Sequence, residues 1–174
     1  MGETSKIEWT EATWNVAVGC HKVSAGCANC YMYDYMKRYG RDPRVVTRTS
    51  PGVFNLPLRK NKDGSWKVPD GARVFTSSLT DFFHEDIDGY RDEAWAIIRQ
   101  RTGLTFQILT KRPERIMAHL PKDWGKGCPN VWIGTSVENQ EQADLRIPYL
   151  LRVPARVRFL SMEPLLGPVE LGTL

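Results

Sequence analysis

Three of the four cysteines in this chain, Cys20, Cys27 and Cys30, fall within eleven residues of one another. In a reducing compartment, closely spaced thiols serve as metal ligands or redox groups more often than as bridges, and a C-x6-C-x2-C cluster is not a disulfide framework. Three thiolates in one loop can bind three irons of a [4Fe–4S] cube and leave the fourth iron open to an exchangeable ligand. The same three, completed by His21 or Cys128, can instead hold zinc in a tetrahedral structural site. Spacing alone leaves both readings open. Gly19 and Gly26 allow the loop tight turns and a close approach of backbone to an inorganic core. Cys128, beside Pro129 in a glycine-rich turn, reads as a free thiol.

The groups that must position this loop come from a repeating pattern of short apolar runs, each followed by polar residues. The runs cover residues 14–18, 73–78, 105–110, 131–136 and 157–161. Continuous apolar runs of this length predict strands buried on both faces, as in a parallel sheet covered by helices. Helices are expected between them over 31–39, 89–101, 113–120 and 140–151, the second capped by Asp88 and stopped by Gly103. The alternation predicts βαβ units with right-handed crossovers, and so an α/β fold. After the runs come Ser77, Ser78, Thr80 and Asp81, then Thr110, Lys111 and Arg112, then Thr135, Ser136, Glu138 and Asn139, and last Ser161 and Glu163. In a parallel barrel or open α/β sheet all of these share the carboxyl rim, where ligands bind, and the cysteine loop joins the same rim.

With 174 residues the chain is expected to form one domain over 1–174. Its net charge of +4 is uneven: residues 37–67 hold nine basic side chains against Asp42 and Asp63, leaving the remainder at −3. That stretch, interleaved with Tyr39, Phe54 and Trp66, suits phosphates and bases, or else it is a solvated face. Residues 43–70, rich in proline and glycine, read as a basic loop insertion. No run is long enough to span a membrane, and the N-terminus has neither a signal peptide nor a myristoylation pattern, so the chain is expected in the cytoplasm. No nucleophile elbow, phosphate-binding glycine loop or H-E-x-x-H motif is present, which leaves hydrolase and NTPase readings without support. His84, in FFHED, is a candidate acid–base group or a loop histidine. Trp9, Trp14, Trp95 and Trp132 are expected in core or strand-edge positions.

The string WTEATWNVAVGCHKVSAGCANCYMYDYMKR, followed in order by RVFTSSLTDFFHED, FQILTKRPER, VWIGTSVENQ and RFLSMEPLLGPV, resembles the phage-borne three-Cys-motif proteins of unassigned function, which are similar to radical S-adenosylmethionine (SAM) enzymes. The resemblance runs from about residue 6 to 170. It implies an incomplete TIM-like (β/α) barrel of the radical SAM type, with about five parallel strands visible. It also implies a [4Fe–4S] cluster on Cys20, Cys27 and Cys30, with SAM on the open iron as the source of a radical that abstracts a hydrogen atom. Tyr31 and Tyr33 would pack against the cluster or the adenine. Ser77, Ser78 and Asp81 would contact the SAM amino group, Lys111 and Arg112 its carboxylate, and Glu138 and Glu163 its ribose or sulfonium side, or a substrate. The spacing departs from the commonest radical SAM pattern, C-x3-C-x2-C, and TSSLTD stands where a GGE string is usual. Family members continue into a further strand and helix, so a truncated chain, or a protein partner completing the barrel, is expected. Nucleic acid, met through residues 37–67, is the expected substrate class, and phage origin implies an infected host cell. The competing reading is a zinc-stabilised nucleic-acid-binding or adaptor protein without catalysis.

Overall fold

A computed structural model describes residues 4–172 of the chain; residues 1–3 and 173–174, where the N-terminal pattern and the last positions of the expected domain fall, lie outside the described residues. The main sheet has five strands, β1 (Ala12–Trp14), β4 (Arg73–Thr76), β5 (Thr105–Thr110), β6 (Val131–Ser136) and β7 (Val157–Ser161). They pair in that order and all in parallel, so the expected α/β class with five parallel strands is what forms. Among the described residues no ladder joins β7 to β1, and the sheet is open rather than a closed barrel. Among the described residues no helix is long and apolar enough to cross a membrane.

β4, β5 and β6 are largely buried, as their apolar runs predict, whereas β7 at the sheet edge is not buried on both faces: Arg158 is exposed and its other four residues are half-buried. Val74, Phe106, Ile108, Val131 and Ile133 lie in one core with Trp14, Phe82, Phe83, Trp95 and Ile98. Helix α3 (Arg91–Gln100) contributes Ala94, Trp95, Ile97 and Ile98 from its apolar stripe. Trp95 meets Phe82 at 5.0 Å and Trp124 at 5.3 Å, both edge-on, the geometry that the ring quadrupole favours. Helix α4 (Gln140–Leu151) begins where expected because Asn139 caps it, its Oδ1 accepting from Gln142 N at 3.0 Å.

Several expectations are corrected. The strand expected over 14–18 is split. β1 stops at Trp14 and β2 (Ala17–Val18) turns away to pair antiparallel with β3 (Thr47–Arg48). The buried Asn15 between them breaks the ladder, for its Oδ1 takes the Leu79 amide at 2.6 Å and its Nδ2 donates to Ser78 Oγ at 2.9 Å. The strand over 73–78 accordingly ends at Thr76. Asp88 does not cap α3; the capping position is Tyr90, and Asp88 pairs with Arg91 at 2.6 Å and Arg115 at 2.8 Å. The expected helix over 113–120 is two 3-10 turns, Pro113–Arg115 and Met117–His119. The proline starts it and Leu120 turns to extended backbone before Pro121, so there is too little chain for a stable α-helix.

The stretch over 43–70, expected as a loop insertion, carries β3, the short helix α2 (Pro51–Phe54) and a 3-10 turn at Leu56–Leu58. Phe54, Leu56 and Val68 belong to the main core, Trp14 Nε1 donates to Phe54 O at 2.8 Å, and Arg101 donates to the carbonyls of Pro57 and Val68. Its aromatics are therefore largely committed. Phe54 is buried, Trp66 lies between Arg101 at 4.1 Å and Lys60 at 4.5 Å, and Tyr39 alone is well exposed, beside Tyr35 at 5.0 Å.

Edge strand β1 is clamped to β4 by Glu11. Its carboxylate accepts from the Arg73 amide at 2.7 Å and from the guanidinium at 2.5 Å, and these bonds hold its pKa down at about 2. A carboxylate whose folded pKa is depressed stabilises the fold above its unfolded value of 4.5, and that contribution fades as pH falls toward 2. Glu11→Gln is expected to lower stability by about 0.5–1 kcal/mol at neutral pH, because the pair is half exposed, and the gap from the parent should close between pH 5 and pH 2 in urea titrations.

Candidate functional site

The cysteine loop is fastened to the sheet from several directions. Gly19 opens it at φ +99°, and a Cβ there would lie 2.4 Å from the Val45 carbonyl oxygen, so only glycine fits. Its amide donates to Leu79 O at 3.0 Å, and the Cys20 amide donates to Pro43 O at 2.9 Å. Tyr33 donates to Cys20 O at 2.8 Å and Tyr31 donates to Ser78 O. Cys27 ends a 3-10 turn (Ala25–Cys27), and Cys30 immediately precedes helix α1 (Tyr31–Arg38) without a side-chain capping bond. At Gly26 a Cβ would stand 2.3 Å from Glu138 Cγ, which means the loop backbone lies directly on the Glu138 side chain.

All three cysteines line one cavity of about 590 Å³. The rest of its wall comes from the carboxyl ends of the strands: Ser77, Ser78, Thr80 and Asp81 after β4, Lys111 and Arg112 after β5, Ser136 at the end of β6, and Ser161 and Glu163 after β7. Trp9 and Phe75, 4.7 Å apart, form an apolar end. The Ser77 and Thr80 hydroxyls are buried with no hydrogen-bond partner among the described residues. Ser78 Oγ accepts from Asn15, which leaves its own proton free to donate.

Two expected ligand residues are otherwise engaged. Asp81 accepts from Thr110 Oγ1 at 2.6 Å, Phe83 N at 2.9 Å, Lys111 N at 2.9 Å and Arg112 at 3.3 Å. Glu138 is fully buried and does not reach the cavity wall; it binds Lys111 Nζ at 2.8 Å, Arg146 at 3.0 Å and Ser24 Oγ at 3.0 Å. Burial pushes its carboxyl up, and the Lys111 and Arg146 charges with their hydrogen bonds outweigh that and bring it below the ordinary value. Glu163 remains exposed on the cavity rim.

The Cys20 thiol is pushed up to about 12, first by burial and next by the Asp81 charge, against the opposing charge and hydrogen bond of Arg112. Metal ligation there must therefore displace a proton. Cys128 sits at the opposite, amino end of the strands, just before β6, and its thiol donates to Asn130 Oδ1 at 2.9 Å, so it is out of reach as a fourth ligand. His21, His84 and Glu85 bring their ligand atoms within 4.8 Å of one another; among the described residues the cysteines make no such single-ion group. His84 Nδ1 accepts from Asp86 N at 3.1 Å, so the neutral ring carries its proton on Nε2 and offers no spare lone pair to a cation. Burial, and then Arg112, hold His84 toward that neutral form. Ser24 and Arg146, which join Glu138 in holding the loop, escaped the sequence reading, since no spacing signal marks them.

An open parallel α/β sheet with a three-cysteine loop over its carboxyl rim is the class that fold and site define. The chain belongs to the family described as protein of unknown function (DUF5131), which it matches over residues 4–174. No curated protein and no solved structure matches it.

Proposed function

We propose that this protein is a radical SAM-like iron–sulfur enzyme, with Cys20, Cys27 and Cys30 holding a [4Fe–4S] cluster and the adjoining cavity receiving SAM. The observation that carries the reading is that all three cysteines share one cavity wall with the unpartnered, buried Ser77 hydroxyl at the carboxyl ends of parallel strands. The motif order that resembles three-Cys-motif and radical SAM proteins supports it. When bound, cluster and SAM would supply one-electron cleavage of the sulfonium.

The chain's own residues bind, orient and exclude water. Ser77 and Ser78 offer hydroxyl protons to polar groups of SAM, and Lys111 Nζ, partly exposed on the cavity and tethered to Glu138, brings a cation to its carboxylate. Trp9 and Phe75 give the apolar end, where an aromatic base or an apolar substrate is shielded from water. Asp81 and Glu138 serve by holding Arg112, Lys111 and the loop in place.

The zinc reading needs four donors around one ion; Cys128 is out of reach, and His21, the other fourth donor considered, gathers with His84 and Glu85 rather than with the cysteines. Nucleic acid is proposed as the substrate class through residues 37–67, where Lys37, Arg38, Arg41 and Lys62 make no ion pair among the described residues. A protein partner along the open edge of β7 belongs to the same proposal, as does a reducing cytoplasm, that of a phage-infected cell, where the thiols stay free.

Anaerobic purification, with iron, sulfide and zinc measured on one sample, tests the core of the reading. About four irons and four sulfides per chain are expected. SAM added under dithionite should then yield 5′-deoxyadenosine. A colourless protein with about one zinc overturns the cluster assignment, and a loaded protein that leaves SAM intact overturns the enzyme assignment.

A further inference from the structure

We infer that Arg112 is a positioning residue that fixes a positive charge against the Cys20 sulfur and thereby raises the reduction potential of a cluster on the loop. The inference rests on the cluster reading above. Arg112 follows β5, and its guanidinium is almost wholly buried. It is aimed from three sides: NH1 meets Asp81 Oδ2 at 3.3 Å, NH2 donates to His21 O at 3.2 Å, and Nε faces Glu85 Oε2 at 3.6 Å. Its backbone is fixed too, since the Arg112 amide donates to Thr110 Oγ1 at 2.9 Å and that hydroxyl donates to Asp81. So held, NH1 also donates to Cys20 Sγ at 3.7 Å.

The other two sulfurs are treated differently. Cys27 Sγ has only the Ser24 hydroxyl at 3.9 Å, and among the described residues Cys30 Sγ has no side-chain partner. The arrangement is therefore not a general basic lining but one cation on one ligand. A one-electron reductant adds one negative charge to cluster and thiolates, and no bond need form or break. A fixed cation with an N–H on a ligand sulfur favours that added charge, and hydrogen bonding and net charge at the sulfurs set the potential. Asp81 and Glu85 temper the effect, and Glu85, half exposed, tempers it less.

The test is a dithionite titration of the full-length protein, loaded anaerobically, with the reduced cluster followed by electron paramagnetic resonance. In Arg112→Gln the ratio of reduced to oxidised cluster at a fixed potential should fall about tenfold, which for one electron is a shift of about 59 mV. Glu85→Gln, which removes a compensating charge from the exposed side, should shift the ratio the opposite way by a smaller factor. An unchanged midpoint in Arg112→Gln overturns the inference and leaves the cluster reading standing. If Arg112→Gln fails to load iron, Glu85→Gln decides, and an unchanged midpoint there overturns it. A parent protein without iron overturns the reading itself and the inference with it.

Discussion

Cys27→Ser is expected to strip the loop of iron, from about four atoms per chain to a small residue, while leaving the polypeptide folded. Among the described residues the thiol's one hydrogen-bond contact is Ser24 Oγ at 3.9 Å, so it contributes little beyond its own volume. Serine keeps that volume nearly unchanged, so far-UV circular dichroism should match the parent. The serine hydroxyl does not ionise near neutrality, whereas a thiol does so readily once a metal is at hand, and soft thiolates are what iron–sulfur clusters select. Cys20→Ser and Cys30→Ser should behave alike. Cys128→Ser is the internal control: its thiol lies at the other end of the strands on Asn130, and its iron content should equal the parent's. Full cluster content in Cys27→Ser, measured as iron and labile sulfide together, would remove this residue from the ligand set.

Glu138→Ala is the substitution expected to cost the most stability. The carboxylate is fully buried between Lys111 and Arg146, and Arg146 itself is 3% exposed at its side chain. Taking away one partner of a buried pair leaves an uncompensated charge, a loss of about 3–5 kcal/mol in chemical denaturation at neutral pH. The effect has a pH signature. The folded pKa lies below the unfolded one, so the carboxylate stabilises the protein above its ordinary value and this stabilisation is lost as pH falls through the depressed folded value. Parent and variant should therefore converge in acid, and a difference that stays constant down to pH 3 would show that the charge is not the cause. Gly26→Ala attacks the same contact from the loop side, and should loosen iron as well as lower stability, because a methyl group cannot occupy a point 2.3 Å from Glu138 Cγ.

Glu138 and Glu163 show how far sequence could go. Both follow a strand at the carboxyl rim, and by position they look equivalent. One is sealed between two cations and the other stands on the rim in solvent, a distinction set by α4, whose Arg146 reaches back to the end of β6. β4, β5 and β6 were legible because burial on both faces leaves largely apolar runs, and β7 through Val157, Phe159 and Leu160, although this edge strand is only half-buried. β1 and β2 were not separable, since the break depends on where the Asn15 amide bonds, 64 residues away on Leu79. The core role of residues 43–70 was hidden by prolines and charges, which dominate composition while Phe54, Leu56 and Val68 do the packing. The cysteines were legible as a group; that they share a cavity with an unpartnered Ser77 follows only from parallel pairing.

The placement of β1 bears on how the protein comes off a ribosome. Among the described residues β1 pairs only with β4, in the register Ala12↔Val74, and the whole cysteine loop is strung between these two partners. At translation rates of about 5–20 residues per second, the roughly 60 intervening residues take about 3–12 s to emerge. During that interval the three thiols are exposed on a nascent chain whose site does not yet exist, because the residues that close it, Asp81, Arg112 and Glu138, are still to be made. On the proposed cluster reading, insertion would wait for a nearly complete polypeptide, and the early thiols would depend on the reducing power of their surroundings until then.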